Sequence, residues 1–437
     1  SGRFWRLRNM ETEKNFNDML SRMEKYPVAL EQTTVFLREG SKLGVTQVKQ
    51  FLQKVPGQFD VVLTAKIEDS PLYAPFKDLP QTIPAEKQAE LRARARKVIE
   101  TQLYPAFKKL REYLVSDYIP QAREFISWSQ MPNGQAWYNQ LVKSHTTTTL
   151  TSEQLHELGL KEVARIATEM DKVRETSGFN GNRAEFHKFL LEDKQFYYTK
   201  GEDLLTGYRD IAKRIDAEMP RFFKRLPRLS YGVREMPAYK AAAAPTAYYM
   251  GGNLEAGRAG FFEANTYDLK ARPKWGMEAL TAHEGVPGHH LQISVGQEVE
   301  GLPEFRKHGG YTAFVEGWGL YAEGVGEEMG LYKDIYSKYG QLSYEMWRAV
   351  RLVVDTGMHA KGWTREQALK YAMELMPKTR LEAEVEIDRY ITWPGQALAY
   401  KVGQLKFREL REKARVARGD KFDVRAFHDE MLGHGAL

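Results

Sequence analysis

The sequence predicts a mainly helical fold with one small β element, and three observations predict it. Apolar residues recur at three- and four-residue spacing over most of the chain. That period breaks once, between about 227 and 268, in a stretch rich in Gly and aromatic residues. The 437 residues are 42% apolar and 28% charged, with a mean hydropathy of −0.55. Such a chain is expected to be water-soluble and globular, with a large core.

Helical periodicity runs over about 11–38, 85–116, 152–175, 201–226, 334–360, 364–375 and 396–418. Helix starts are marked by Ser152 with Glu153 following, and by Thr364-Arg365-Glu366-Gln367, which fits a capping box. Pro105, Pro120 and Pro220 should kink or end their helices. The break contains Ala241 to Ala244, Pro245, Tyr248-Tyr249, Gly251-Gly252, Gly257, Gly260 and Phe261-Phe262, read as two or three short strands joined by Gly turns. With no internal repeat or low-complexity linker, the one soft boundary falls at 226, between a helical part (1–226) and a part carrying the chemistry (227–437).

Lys and Arg total 64 against 58 acids, a formal charge of +6. The basic residues are dispersed over helix faces, and the densest run, Arg92-Ala93-Arg94-Ala95-Arg96-Lys97, lacks an aromatic stacking platform, so nucleic acid is not an expected partner. No apolar run reaches the roughly 18 residues of a membrane span. The opening Ser1-Gly2-Arg3-Phe4 is neither an initiator Met nor a signal peptide and is read as a trimmed or processed start. The absence of Cys excludes disulfides and thiolate chemistry. Any metal must therefore be held by His, Asp or Glu.

Three of the ten His fall in Thr281-Ala282-His283-Glu284-Gly285-Val286-Pro287-Gly288-His289-His290-Leu291-Gln292. Trp275 to Leu280 reads as the start of a buried helix that carries His283 and Glu284 inward. In an H-E-x-x-H arrangement two His one helical turn apart bind zinc, and the intervening Glu is the base for water. Here the fourth position is Pro287, and the next His come six and seven residues on. On an undistorted helix His289 would lie about 120° round from His283, and His290 about 10 Å further along. Pro287 and Gly288 allow a bulged or widened turn that absorbs two residues and returns His289 to the ligand position, with His290 as the substitute. A structural turn with hydrogen-bonded core His is the plainer alternative.

A third ligand is offered by Glu316, set among apolar and aromatic residues in Tyr311 to Glu323, where a buried carboxylate needs a partner. Glu323, seven residues on and on the same helical face, is either a hydrogen-bond partner for a ligand His or a surface carboxylate.

These segments resemble the bacterial domain of unknown function 885, whose members look like zinc metallopeptidases of the gluzincin type. The likeness rests on His283 to Gln292, on Glu316-Gly317-Trp318-Gly319-Leu320-Tyr321-Ala322-Glu323, and on Asp388-Arg389-Tyr390-Ile391-Thr392-Trp393-Pro394-Gly395-Gln396-Ala397-Leu398-Ala399-Tyr400-Lys401-Val402-Gly403. It covers most of the chain beyond about 140, and the family usually extends past both ends. It implies a two-lobed helical zinc-peptidase-like fold with a small β-sheet near the active-site helix, one Zn2+ held by His283, His289 and Glu316, and Glu284 as general base. The second ligand is the assignment that the unusual insertion leaves most exposed.

Further candidates follow. Tyr400, after the Pro394-Gly395 interruption, resembles the tyrosines that stabilise the oxyanion in helical zinc peptidases; Tyr390 is the rival donor, and a tyrosine packed in a helix core is the plain alternative. Arg389 is read either as binding a peptide carboxylate or as tying down an acidic helix through Glu386 or Asp388. The stretch from Gly257-Arg258 to Asn265-Thr266-Tyr267 is a place for a peptide to add as an extra strand, with Arg258 recognising a carboxylate, although an ordinary hairpin has the same composition.

The expected function is zinc-dependent hydrolysis of peptide bonds, with short peptides as substrates and a carboxypeptidase or dipeptidase as the form the resemblance suggests. Two alternatives stay open: a zinc amidase or esterase on a small non-peptide amide or ester, and a catalytically silent helical binding protein. Manganese and cobalt accept the same ligands. The family's export signals favour the bacterial periplasm, with which the lack of Cys is compatible, and the cytoplasm is the alternative; oligomeric state is not readable.

Overall fold

A computed structural model describes residues 10–241, 244–254 and 257–436. The chain divides into two compact units, one built from residues up to Ile126 with Gln130–Pro132, the other from Ser127–Ser129 and Asn133 onward. The division expected at 226 is thus displaced by about a hundred residues. The reason is packing: the helix Ser152–Thr176 lies along the helix Ile335–Ala360, which is buried on nearly every face and takes the earlier helix as part of its cover.

In the first unit, α1 (Glu13–Lys42) and a long helical run from Ala85 to Gln121 enclose a core of Leu20, Met23, Phe76, Ile99 and Leu103. Within that run, α2 (Ala85–Val98) and α3 (Tyr104–Tyr113) are separated by a wider turn at Ile99–Leu103, and a second wide turn spans Leu114–Tyr118. Each precedes a proline, Pro105 and Pro120. A proline lacks the amide hydrogen and crowds the carbonyl one turn back, and an extra residue in that turn relieves both problems without ending the helix.

The second unit continues with α4 (Gly134–Thr146), α5 (Ser152–Thr176), α6 (Arg183–Glu192) and α7 (Gly201–Phe222). Thr151, one residue before the expected Ser152, caps α5 in a capping box with Gln154. Pro220 sits in the last turn of α7, which ends at Phe222. Three strands follow, β1 (Tyr231–Glu235), β2 (Ala247–Met250) and β3 (Gly260–Ala264), in the order β1-β3-β2, with β1 parallel and β2 antiparallel to β3. Glu263 in β3, fully buried, accepts bonds from Arg234 of β1 at 2.5 Å and from the Tyr248 hydroxyl of β2 at 2.6 Å, so one carboxylate ties all three strands. β3 is therefore central, not the exposed edge anticipated for Gly257–Tyr267. The outer strands are β1 and β2.

The longer helices that follow the strands are α8 (Met277–Glu284), α9 (His289–Gln297), α10 (Thr312–Glu328), α11 (Ile335–Ala360), α12 (Arg365–Leu375), α13 (Arg380–Thr392), α14 (Ala399–Arg418) and α15 (Val424–Leu432). Thr364 caps α12 in the expected box with Gln367. The main core of this unit joins Phe262, Ala282, Leu291 and Trp318, and a smaller one joins Tyr138, Leu155, Leu352 and Leu398. No helix of the described residues is long and apolar enough to cross a membrane.

α10 and α14 cross at two glycines. A Cβ on Gly403 would stand 1.9 Å from the Ala313 carbonyl oxygen, and one on Gly317 would stand 2.4 Å from the Gly403 Cα. A Gly403→Ala substitution should push these helices apart and cost at least about 1–3 kcal/mol, read as a lowered midpoint in thermal or urea unfolding.

Candidate functional site

The site is built where α8 meets α10. α8 is buried almost all round and delivers His283 and Glu284 to the interior. It ends at Glu284, and residues 285–288 form a non-helical connector with a cis Val286–Pro287 peptide bond before α9 begins at His289. The expected bulge is thus a full interruption. At Gly288 a Cβ would lie 2.0 Å from the His283 carbonyl oxygen, so only glycine lets the connector fold back this closely. The Trp318 indole on α10 donates to the Pro287 carbonyl at 2.8 Å and holds the connector down.

This geometry brings His289 back to His283, with ring centroids 4.7 Å apart and nearly perpendicular. Glu316 on α10 faces both, its Oε2 lying 3.6 Å from His283 Nε2 and 3.5 Å from His289 Nε2. One ligand atom from each of the three lies within 4.8 Å of the others. These separations are too long for good hydrogen bonds. They match the spacing of about 3.4 Å between two ligand atoms bound tetrahedrally at zinc distances of ~2.0–2.1 Å. Two imidazole nitrogens and a carboxylate are a donor set that could hold a zinc-like metal ion.

Two carboxylates grip the His283 ring from opposite sides. Glu323 Oε1 lies 2.8 Å from Nδ1, and since an ionised carboxylate only accepts, the Nδ1 proton is donated to it and Nε2 turns toward Glu316. Arg348 in turn pairs with Glu323 at 3.2 Å. Gly319, between the two glutamates, leaves the room: a Cβ there would lie 2.7 Å from the imidazole Cε1. Burial works against a charged ring, but Glu316 and Glu323 outweigh it and raise the His283 pKa to about 9. Burial works against the ionised Glu316 carboxyl, but the two histidines beside it, His283 and His289, outweigh that and hold it well below its usual range.

Glu284 accepts a hydrogen bond from the Tyr249 backbone N–H of β2 at 2.8 Å, so β2 lies against the residue following the first His. His290 points away from the cluster. Its Nδ1 is 2.8 Å from the Tyr249 hydroxyl, its ring packs 4.5 Å from that of Tyr231, and burial lowers its pKa to about 4. Of the two His left open by the sequence, His289 is the one brought to the cluster.

Tyr400 stacks near-parallel to His283 with ring centroids 6.5 Å apart, and Gln396 donates to its hydroxyl at 3.4 Å. Burial, and after it the Glu316 charge, raises its pKa. Tyr390 is placed differently. Its hydroxyl donates to Glu386 at 2.6 Å and receives Arg351 at 2.7 Å and Trp347 at 2.9 Å. Arg389 binds Glu386 at 3.1 Å and Gln396 at 2.9 Å, while Asp388 pairs with Arg365 at 2.6 Å. Arg258 lies in the turn between β2 and β3, where its backbone bridges to Asn253.

Sequence reasoning missed Gly319, Tyr249 and Arg351. Gly319 stands in the glutamate motif already singled out, midway between two carboxylates on one face, which was its available signal. Tyr249 acts through its backbone, which no residue pattern reveals.

The fold and site define a mainly helical protein with a small three-stranded sheet and a buried His-His-Glu cluster. The model of the family described as bacterial protein of unknown function (DUF885) matches residues 4–437, and the chain belongs to that family. Among solved structures it is similar to "the putative lipoprotein from Colwellia psychrerythraea", at 31% identity and a TM-score of 0.93, over 99% of this chain and 75% of that one. A "putative lipoprotein of unknown function from Shewanella oneidensis" shares the fold, at 20% identity and a TM-score of 0.67, over 96% and 76%. No curated protein matches the chain.

The raised His283 pKa has a consequence for stability. In the unfolded chain a His titrates near 6.5, so the stabilisation is fully present below about pH 6.5 and is lost as pH rises through about 9. Metal-free protein should lose up to about 3 kcal/mol over that window, and His283→Ala should flatten the slope. Thermal midpoints measured in chelator across pH 6–10 test this.

Proposed function

We infer that this protein is a zinc-dependent hydrolase of the gluzincin type that cleaves peptide bonds, with short peptides as substrates. The observation that carries the reading is the convergence of His283 Nε2, His289 Nε2 and Glu316 Oε2, with Glu284 next in the chain to the first of them. Zinc held by these three residues would supply Lewis acidity, lowering the pKa of water and polarising a carbonyl.

The chain's own groups would do the rest. Glu284 takes a proton from the attacking water and passes it to the leaving amine. The Tyr400 hydroxyl, kept protonated by burial, donates to the oxyanion that develops on the carbonyl oxygen. Glu323 fixes the His283 tautomer so that Nε2 presents its lone pair. β3 is taken on both sides, and of the two outer strands β2, whose Tyr249 N–H bonds Glu284, is the one beside the cluster and the one offered for a peptide to pair along. The likeness to a structure titled a lipoprotein supports placing the protein outside the cytoplasm.

The direct test is hydrolysis of a peptide library by zinc-dialysed protein. Wild type should release products, Glu284→Gln should lower kcat by about 10²–10⁴-fold, and Tyr400→Phe should lower it by about 10²–10³-fold with little change in KM. Cleavage of small non-peptide amides or esters in place of every peptide would favour an amidase or esterase. Glu323→Gln should weaken zinc binding about 10–100-fold while leaving the fold intact, read by titration against a zinc chelator.

A further inference from the structure

The positive charge around Tyr400 exceeds what the protein pairs directly. Arg348 and Arg351 come from α11, with guanidinium carbons 5.9 and 4.3 Å from the Tyr400 ring, and Arg389 comes from α13. Arg348 is taken by Glu323. Arg351 and Arg389 share one carboxylate, Glu386, at 3.1 Å each. Arg389 spends its other terminal nitrogen on the neutral Gln396.

Arg351 gives Nε to the Tyr390 hydroxyl and Nη2 to Glu386, and its Nη1, on a side chain only 4% exposed, has no partner. The other carboxyl that acts on Arg389, Asp355, forms no ion pair with it. It is occupied by the Tyr138 hydroxyl at 2.7 Å and the Gly395 N–H at 3.1 Å, and burial raises its pKa to about 7. A guanidinium is always charged, and a buried charge with an unused donor is costly unless something completes it.

The position of that donor says what completes it. Arg351 lies 4.3 Å from the Tyr400 ring, which lies 6.5 Å from the His283 ring, so the guanidinium stands within about 11 Å of the ligand cluster. In a peptide, the α-carboxylate carbon of the last residue lies about 3–4 Å beyond the preceding carbonyl carbon. With a coordination contact of ~2–3 Å at one end and an arginine–carboxylate contact of about 4 Å at the other, one residue is enough to reach across any separation up to that limit.

We propose that Arg351 is the carboxylate anchor of this site, receiving on Nη1 the free α-carboxylate of the residue just after the scissile bond. The substrates are then peptides that lose their C-terminal residue, dipeptides included. This rests on the hydrolase reading and adds an end specificity that a metal cluster alone does not dictate. Glu386, Arg389 and Tyr390 become the frame that holds Arg351.

The test is calorimetric binding of N-acetyl dipeptides ending in Ala, Leu, Phe or Lys, each as free acid and as C-terminal amide, to the zinc-dialysed Glu284→Gln protein. At least one acid should bind ten-fold or more tighter than its amide. Arg351→Gln in the same background should abolish that preference, bringing the acid-to-amide affinity ratio to about one, with circular dichroism confirming the fold. Equal affinities for acid and amide, no acid binding, or a preference that survives Arg351→Gln would overturn the proposal. The acid-to-amide comparison in the parent protein needs no Arg351 variant, so it decides even if that variant fails to fold. Preferential acid binding without peptide cleavage by wild type would keep the anchor and reject the peptidase reading. Equal binding together with cleavage of internal bonds would do the reverse.

Discussion

The His283 imidazole lying on Gly319, between Glu316 and Glu323, is the contact on which the rest of the site depends. Two glutamates seven residues apart stand on one face of a helix, and a side chain midway between them would fill the space the ring needs. With glycine there, each ring nitrogen meets a carboxylate. One, backed by Arg348, fixes the tautomer; the other joins the cluster.

A second constraint concerns the return of the chain. His283 and His289 are six residues apart, a spacing that an unbroken helix would splay round its axis. The connector at 285–288 ends one helix and starts another, and the space under Gly288 and the Trp318 bond to Pro287 hold that reversal. The same helix α10 thus supplies a cluster residue, the partner of the first His and the clamp on the connector. Its tight crossing with α14 also fixes where Tyr400 starts its helix relative to the cluster.

Much of this was legible in the sequence wherever a residue's role follows from periodicity. The helices followed apolar spacing, and Glu316 and Glu323 were paired by their helical face. His289 was legible only as one of two alternatives, because the conformation of a Pro-Gly interruption is set by what packs on it and not by its own residues. Strand order was not legible: β2 and β3 are alike in composition, and the shared carboxylate Glu263 makes β3 the central strand. The compact-unit boundary was misplaced because the sequence change at 226 marks a change in secondary structure, whereas α5 is held by its packing on α11. Arg351 was hidden for a related reason. A cation inside an apolar helix reads as core until its partners are counted.

The most direct test of the central claim is a crystal structure of the zinc-soaked protein with anomalous data at the zinc edge. One strong peak bonded to His283 Nε2, His289 Nε2 and Glu316 is expected, with Glu323 still on Nδ1 of His283. A peak at His290, or an empty cluster at a zinc concentration that loads other sites, would contradict it.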